Sequence, residues 1–303
     1  MRRHMFVAGL IAVGTLGMLC PACTGQREGK STPAKKEAAV AAAATPPSST
    51  PAVPALLPLD TIFPDGPYGA ALRRGRALFL YTPDSLPQYA QSKLRCASCH
   101  LDEGRRPNAI PLVGIYARYP HYADRTQKIQ TVEDRTNNCF VRSLAGRPLP
   151  LDSREMNEIV AYLAHMSRNI PVGTHVKGEG LPKLERLPSS TSRGAQVYAA
   201  QCARCHGANG EGIPPVPPLW GDHSFGIGAS MAREERFTSF VKHNMPFDKP
   251  GTLSNQDAFD VAAYVTSQHR PNTANKANDW LAGGAPYDVP YATQGHVAYK
   301  PAH

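Results

Sequence analysis

Two short cysteine motifs are the clearest chemical signal in this 303-residue sequence. Both have the pattern Cys-x-x-Cys-His, and they are Cys96/Cys99/His100 and Cys202/Cys205/His206. Two thiols at this spacing add to the two vinyl groups of one haem, and the adjacent histidine binds the iron. A zinc site would need the cysteine pairs much closer together, or a nearby pair of histidines, and neither pattern is visible. The motifs therefore predict two covalently attached c-type haems.

The second axial ligand of each iron can be sought by position. Cys139 follows His100 by the same number of residues, 39, as Met245 follows His206. Both are soft sulfur donors that suit haem iron, so they are the predicted partners of the two histidines. Cys139 could instead be a buried structural cysteine. The residues left open as alternative ligands are Met156 and Met166 at the first haem, and Lys242 and His243 at the second.

Arginines surround Cys139 in the sequence. The capping pattern Thr131-x-x-Asp134 predicts a helix that runs to Gly146. Three of its residues are spaced by four and should share one face: Arg135, Cys139 and Ser143. A guanidinium beside a thiol lowers the thiol pKa and binds oxyanions. Other arginines nearby, which could also be solvated or bind haem propionates, are Arg125, Arg142 and Arg147.

The two haem motifs lie in two units of the same plan. Each unit has an Arg-Gly pair, then its haem motif, then a final amphipathic helix that Asp152 would cap in the first unit and Ser254 in the second. The pairs are Arg74-Gly75 and Arg193-Gly194. This repeat predicts an all-α fold of two tandem class I cytochrome c-like domains, residues 59–183 and 184–271, joined by long loops.

The ends of the chain differ from these units. Residues 1–22 have a charged start, a short apolar run and a small-residue exit, which predicts a signal peptide. Residues 23–58 are rich in Ala, Pro, Ser and Thr, which predicts a disordered tether. Cys23, or Cys20 close by, could be lipidated, so a periplasmic and an envelope-attached form are both open. Residues 272–303 show little periodicity, and we expect this tail to lie over the surface of a domain.

The charge pattern restricts the class of partner. The formal net charge is +9 at pH 7, which suits anionic partners. Nucleic acid is not expected, because the chain is predicted to be exported and has no basic run with interleaved aromatic residues.

The sequence around the two sulfur ligands resembles the dihaem thiosulfate dehydrogenases that form tetrathionate. The resemblance covers roughly residues 60–270 and is sharpest at 134–143 and 242–246. It implies a catalytic haem 1 with histidine and cysteine ligands, and a haem 2 with histidine and methionine ligands that relays electrons outward. The matching positions here are His100 and Cys139 for haem 1, and His206 and Met245 for haem 2.

The resemblance also implies which residues handle the substrate. The substrate-binding arginines of that family match Arg125 and Arg135, and its active-site serine matches Ser143. An acidic residue after the first haem motif is implicated too, and Glu103 is the nearest candidate, although its register is offset. The implied reaction joins two thiosulfate dianions into one tetrathionate and releases two electrons. In it the arginines offset the repulsion of like charges, and Cys139 leaves the iron to bond the sulfane sulfur.

Several functional alternatives stay open from the sequence. The electrons would go to a small periplasmic acceptor such as a cytochrome c, and the reaction could also run in reverse, as a tetrathionate reductase. The chain could instead be a non-catalytic dihaem electron carrier in which Cys139 is structural. It could also be a Cys-ligated haem subunit of a sulfur-oxidation complex that loads thiosulfate onto a carrier protein.

Overall fold

The computed structural model describes residues 63–302, which form short α-helices joined by long loops. The signal peptide, the tether, Cys20 and Cys23 lie outside this range, so those expectations stay predictions. The helices are α1 (Gly66–Leu80), α2 (Thr82–Ser85), α3 (Leu101–Gly104), α4 (Ile115–Arg118), α5 (Val132–Asn138), α6 (Arg154–Met166), α7 (Thr191–Gln201), α8 (Ala203–His206), α9 (Glu234–Asn244) and α10 (Asn255–Ser267).

The remaining regular structure is short. An antiparallel pair of strands, β1 (His121–Ala123) and β2 (Lys128–Gln130), precedes α5. Single 3-10 turns lie at Cys96–Ser98, Ser230–Ala232 and Lys276–Asn278, and a π-helical turn lies at Cys139–Ser143. The predicted all-α class is confirmed, with this small hairpin as the addition. No helix among residues 63–302 has the length and apolar character needed to cross a membrane.

In each unit an Arg-Gly pair lets the first and last helices cross at close range. A Cβ atom on Gly75 would lie 2.0 Å from the carbonyl oxygen of Glu158, and one on Gly194 would lie 2.0 Å from that of Asp260. Only glycine allows this approach, so α1 packs directly on α6 and α7 on α10. The arginine before each glycine forms a 2.7 Å ion pair with the side chain of the same acidic residue. The sequence repeat is therefore a repeat of the helix crossing.

The helix caps agree with the sequence at two of three positions. Thr131 forms the predicted capping box at the start of α5, and the Ser254 hydroxyl accepts from the backbone N–H of Asp257 at the start of α10. The prediction of Asp152 as the cap of α6 was wrong by one residue. Ser153 caps α6, because its backbone N–H bonds to the Pro150 carbonyl and closes a turn that contains Asp152.

The C-terminal tail packs against the haem-binding units with buried side chains. Trp280, Val289 and Tyr291 form a small hydrophobic cluster of their own. Two tail carboxylates are also buried: Asp279 is 2% exposed and Asp288 is fully enclosed. A buried carboxylate is costly unless it is paired, so both must have partners on the rest of the chain.

Candidate active site and haem centres

A cavity of about 610 Å³ adjoins the second Cys-x-x-Cys-His motif. Cys202, Cys205 and His206 lie on its wall together with Met245. The Nδ1 atom of His206 lies 2.9 Å from the Pro217 carbonyl oxygen, which can only accept, so Nδ1 carries the proton and Nε2 is the metal-binding nitrogen. Two thiols, an imidazole and a thioether around one apolar cavity fit a covalently attached haem with histidine and methionine ligands.

Met245 is better placed toward this cavity than its two rivals. It follows the last residue of α9 in an extended backbone conformation and lines the cavity. Lys242 and His243 do not line it. The Lys242 ammonium bonds to the carbonyl oxygen of Leu253, and the His243 ring bonds to that of Ser239 at 2.8 Å. The side chains of Lys242 and His243 are therefore hydrogen bonded to backbone carbonyl groups, which leaves Met245 as the best-placed ligand.

A buried arginine beside the cavity also fits the haem. Arg270 is only 6% exposed, and its recorded partners are neutral. It donates to the Val265 carbonyl at 2.6 Å and lies 4.3 Å above the Phe225 ring, and both of those residues line the cavity. Burial lowers the pKa of Arg270 to about 10. A buried guanidinium that pairs with no carboxylate of the described chain fits an anionic group such as a haem propionate.

We expect Met245→Gly to change one haem and leave the other intact. Loss of the thioether should remove the long-wavelength charge-transfer band of a His/Met haem in the oxidised protein and should lower one of the two midpoint potentials. Spectroelectrochemical titration of the holoprotein measures both. Lys242→Ala is the matched control and should keep the band. If the band survives in Met245→Gly, another residue is the ligand.

At the first motif, an imidazole and a thiol face one another. The Nδ1 atom of His100 donates to the carbonyl oxygen of Ile110 at 2.6 Å, and the same ring interacts with the side chain of Cys139. This donor set, with Cys96 and Cys99 beside it, fits a covalently attached haem with histidine and thiolate ligands. Met156 and Met166, the alternatives from the sequence, are buried in the hydrophobic core instead.

Arg135 is the closest charged partner of Cys139. Its Nη1 atom lies 2.9 Å from the Cys139 sulfur. Burial alone would raise the pKa of the thiol, but the Arg135 charge and hydrogen bonds from His100 and Arg135 outweigh it and lower the pKa to about 7. The Cys139 charge in turn raises the pKa of Arg135, which also hydrogen bonds with the Tyr119 side chain. The lowered pKa makes the thiolate form of Cys139 accessible near neutral pH, beside the positive charge of Arg135.

The helix that carries Cys139 does not run to Gly146 as predicted. α5 ends at Asn138, and the backbone N–H of Leu144 bonds to the Cys139 carbonyl, which closes a π-helical turn. Cys139 keeps α-helical register with Arg135, because its N–H still bonds to the Arg135 carbonyl. The register changes before Ser143, whose hydroxyl has no recorded hydrogen bond within residues 63–302. Single π-helical turns of this kind are frequent at functional sites.

Arg125 and Arg142 form a second cluster beside this turn. Arg142 holds Asp279 with both Nη atoms, at 2.8 and 2.6 Å, and Arg125 Nε lies 3.0 Å from the same carboxylate. The Tyr291 hydroxyl bonds to both Asp279 and Arg125. The structure thus brings Arg135 and His100 to Cys139 and places Arg125 in a network with the C-terminal tail.

Two other predicted residues lie elsewhere. Arg147 is on the surface, where it donates to the Gln88 carbonyl and stacks on Tyr89. Glu103, the acidic candidate, has a left-handed backbone conformation with φ 62°, and its carboxylate pairs with Arg76. It lines the cavity that adjoins the second haem motif.

The predictions from the sequence did not include Tyr119 or the tail residues Asp279, Trp280 and Tyr291. An acidic residue beside a tryptophan in an otherwise featureless tail was the signal that was available.

The chain matches two family models, one for each haem motif. Residues 88–172 match the SoxA/TsdA cytochrome c domain, and residues 189–265 match the cbb3-type cytochrome c oxidase subunit III family. The two cytochrome c domains and the two c-type haems predicted from the sequence are confirmed.

Curated relatives cover most of the chain. A thiosulfate dehydrogenase from Psychrobacter arcticus is 41% identical over 240 residues, which span 77% of this chain and 73% of that protein. A thiosulfate dehydrogenase from Allochromatium vinosum is 39% identical over 233 residues, 73% of this chain and 86% of that protein. Among solved structures, the thiosulfate dehydrogenase TsdBA from Marichromatium purpuratum in its "as isolated" form superposes with a TM-score of 0.69 at 29% identity, over 78% of this chain. This chain spans 56% of the Marichromatium chain.

Proposed function

The chain belongs to the thiosulfate dehydrogenase family, and from that membership we propose that it joins two thiosulfate dianions into one tetrathionate. It is an oxidoreductase that oxidises thiosulfate, with two c-type haems as cofactors. Four negative charges enter the site, two leave in the product, and two electrons are released. When bound, the haems supply the electron-accepting chemistry.

The observation that carries this proposal is the 2.9 Å contact between the Arg135 guanidinium and the Cys139 sulfur. The guanidinium stabilises the thiolate, which is the reactive form of cysteine. Its sulfur would form an S–S bond to the sulfane sulfur of one thiosulfate as two electrons pass to the haems. The sulfane sulfur of a second thiosulfate would then attack that sulfane sulfur, so that tetrathionate leaves and the thiolate is restored. The same guanidinium can donate to the sulfonate oxygens of a bound anion. Arg135 would thus serve both the nucleophile and the substrate, and it would offset the repulsion between two dianions.

The cavity beside the second haem motif supports electron transfer between the first unit and the second. Its wall includes Ala97, Ser98 and Cys99 from the first haem motif as well as the cysteines of the second. The two haem-attachment segments therefore border one space. We propose that a small external acceptor, such as a periplasmic cytochrome c, receives the electrons from the second unit.

The test is a balanced assay with purified holoprotein, thiosulfate and ferricyanide. We expect one tetrathionate for every two thiosulfate consumed and every two ferricyanide reduced. Oxidation of thiosulfate without tetrathionate, or oxidation that requires an added carrier protein, would contradict the proposal. The same preparation with tetrathionate and a low-potential reductant measures whether the reaction runs in reverse.

A further inference from the structure

The dipeptide Asp279-Trp280 in the C-terminal tail holds Arg125 through both its side chain and its backbone. The Asp279 carboxylate bonds to Arg125 Nε at 3.0 Å, and the Trp280 ring lies 4.8 Å from the guanidinium. The Trp280 backbone N–H also donates to the Arg125 carbonyl at 2.9 Å. An arginine side chain has many rotamers, and these contacts select one of them.

The bonds leave one end of Arg125 available. Its Nε and Nη2 atoms bond to Asp279, to the Tyr291 hydroxyl and to the Gly228 carbonyl, at 3.0, 2.5 and 2.7 Å. Its Nη1 atom has no recorded partner in the described part of the chain. The arginine side chain is 21% exposed. The network therefore fixes the guanidinium while one donor stays free for a ligand.

The charge balance of the network favours an anion. Two guanidinium groups, from Arg125 and Arg142, surround one carboxylate that is 3% exposed in its side chain. One net positive charge is left over. Without Asp279 the two partly buried cations would repel one another, and Arg125 would lose the carboxylate that holds its Nε atom. Arg142 belongs to the same π-helical turn as Cys139, so the network is joined through that turn to the segment that carries the thiol.

We propose that Asp279, held by Tyr291, is a positioning residue that orients Arg125 toward thiosulfate, so that the C-terminal tail completes the substrate site. The inference rests on the proposed function, because thiosulfate is the anion that Arg125 would bind. The acid acts through the arginine and does not touch the substrate.

The alternative role for Asp279 is simple anchoring of the tail, and the chain offers a matched control for it. Asp288 is the other buried tail carboxylate, and it pairs with Arg233 at 2.7 Å and with the backbone N–H of Glu235. It therefore anchors the tail to α9 without touching Arg125. Asp279→Asn and Asp288→Asn remove one buried carboxylate each from the same segment.

The experiment measures steady-state thiosulfate oxidation by the full-length holoprotein in five forms: wild type, Arg125→Ala, Asp279→Asn, Asp279→Glu and Asp288→Asn. We expect KM for thiosulfate to rise about tenfold in Asp279→Asn, the size expected from a lost charge-assisted hydrogen bond. kcat should change less than KM, and Asp279→Glu should recover part of the loss. Asp288→Asn should lower the melting temperature and leave KM unchanged. Haem spectra confirm that each variant is loaded.

Each other outcome is decisive. A normal KM in Asp279→Asn with a raised KM in Arg125→Ala overturns the inference and leaves the proposed function intact. A normal KM in Arg125→Ala removes that arginine from the proposed substrate site and the inference with it. An equal rise in KM in Asp288→Asn shows that tail docking, not orientation of Arg125, is responsible. If Asp279→Asn does not fold, Tyr291→Phe replaces it, with a smaller rise in KM expected.

Discussion

Cys139→Ser should fold, keep both haems and lose thiosulfate oxidation almost completely. The hydroxyl is a far weaker nucleophile than a thiolate whose pKa is lowered to about 7, and it is a poor ligand for haem iron. The first haem should therefore lose its thiolate signature in absorption and electron paramagnetic resonance spectra. The second haem should keep its His/Met spectrum. Turnover with ferricyanide, measured on protein with two haems per chain, gives the activity.

A purely structural Cys139 leads to a different result. A buried cysteine that only packs would cost stability when replaced by serine, and turnover would stay measurable. Val141→Ala, on the same π-helical turn, is the control for such packing effects and should change stability without abolishing activity. If Cys139→Ser still makes tetrathionate at a rate close to that of the wild type, the nucleophilic role is wrong and the electron-carrier interpretation becomes the better one.

The haem centres could be predicted because short sequence motifs specify the residues that attach a haem. A Cys-x-x-Cys-His motif fixes two thioether positions and one ligand within five residues, and the equal offset in the two repeated units predicted the second ligand. The Arg-Gly pairs also repeat, and the structure shows why: each glycine allows a helix crossing, and each arginine pairs with an acid on the crossing helix. Such motifs can be recognised in the sequence whatever structure the surrounding loops adopt.

The π-helical turn could not be read in the same way. The prediction that Arg135, Cys139 and Ser143 share one face assumes α-helical hydrogen bonding throughout. That hydrogen bonding changes where backbone groups of the helix bond to other parts of the chain. Here the Leu144 carbonyl accepts from the backbone N–H groups of Gln91 and Ser92, which are remote in sequence. Pro148, four residues after Leu144, has no N–H to offer that carbonyl. The proline was a signal that the helix could not continue past Arg147, and the π-helical turn itself depended on tertiary contacts.

The tail contacts were beyond any local pattern. Asp279 bonds to Arg125 and Arg142, which lie 154 and 137 residues away in the sequence. The tail has no periodicity, since its fold is set by three buried hydrophobic residues and two paired carboxylates. An irregular segment can be anchored by a few strong ion pairs. The lack of periodicity therefore correctly indicated an irregular tail, but it gave no sign of the ion pairs with Arg125 and Arg142.

Arg135→Ala should reduce kcat/KM at least about tenfold, because it removes a charge-assisted contact of about 1.5–3 kcal/mol and each 1.36 kcal/mol of barrier corresponds to a factor of ten. The Cys139 sulfur would also lose the 2.9 Å contact that stabilises its thiolate. Ligation of the first haem should persist, which distinguishes this variant from Cys139→Ser. Steady-state kinetics together with the absorption spectrum provide both measurements.

The double variant Arg125→Ala/Arg135→Ala tests whether the two clusters act on the same reaction. Two dianions must approach one another, so removal of both cations should lower kcat/KM further than either single change. Arg147→Ala is the matched control, because Arg147 lies in the same segment but donates to the Gln88 carbonyl at the surface. A double variant no worse than Arg135→Ala would remove Arg125 from the substrate site. We expect Arg147→Ala to keep its activity, and a loss equal to that in Arg135→Ala would show that the overall positive charge of this segment attracts the substrate. The position of Arg135 matters in our proposal because only a guanidinium held beside Cys139 can stabilise the thiolate and bind the dianion together.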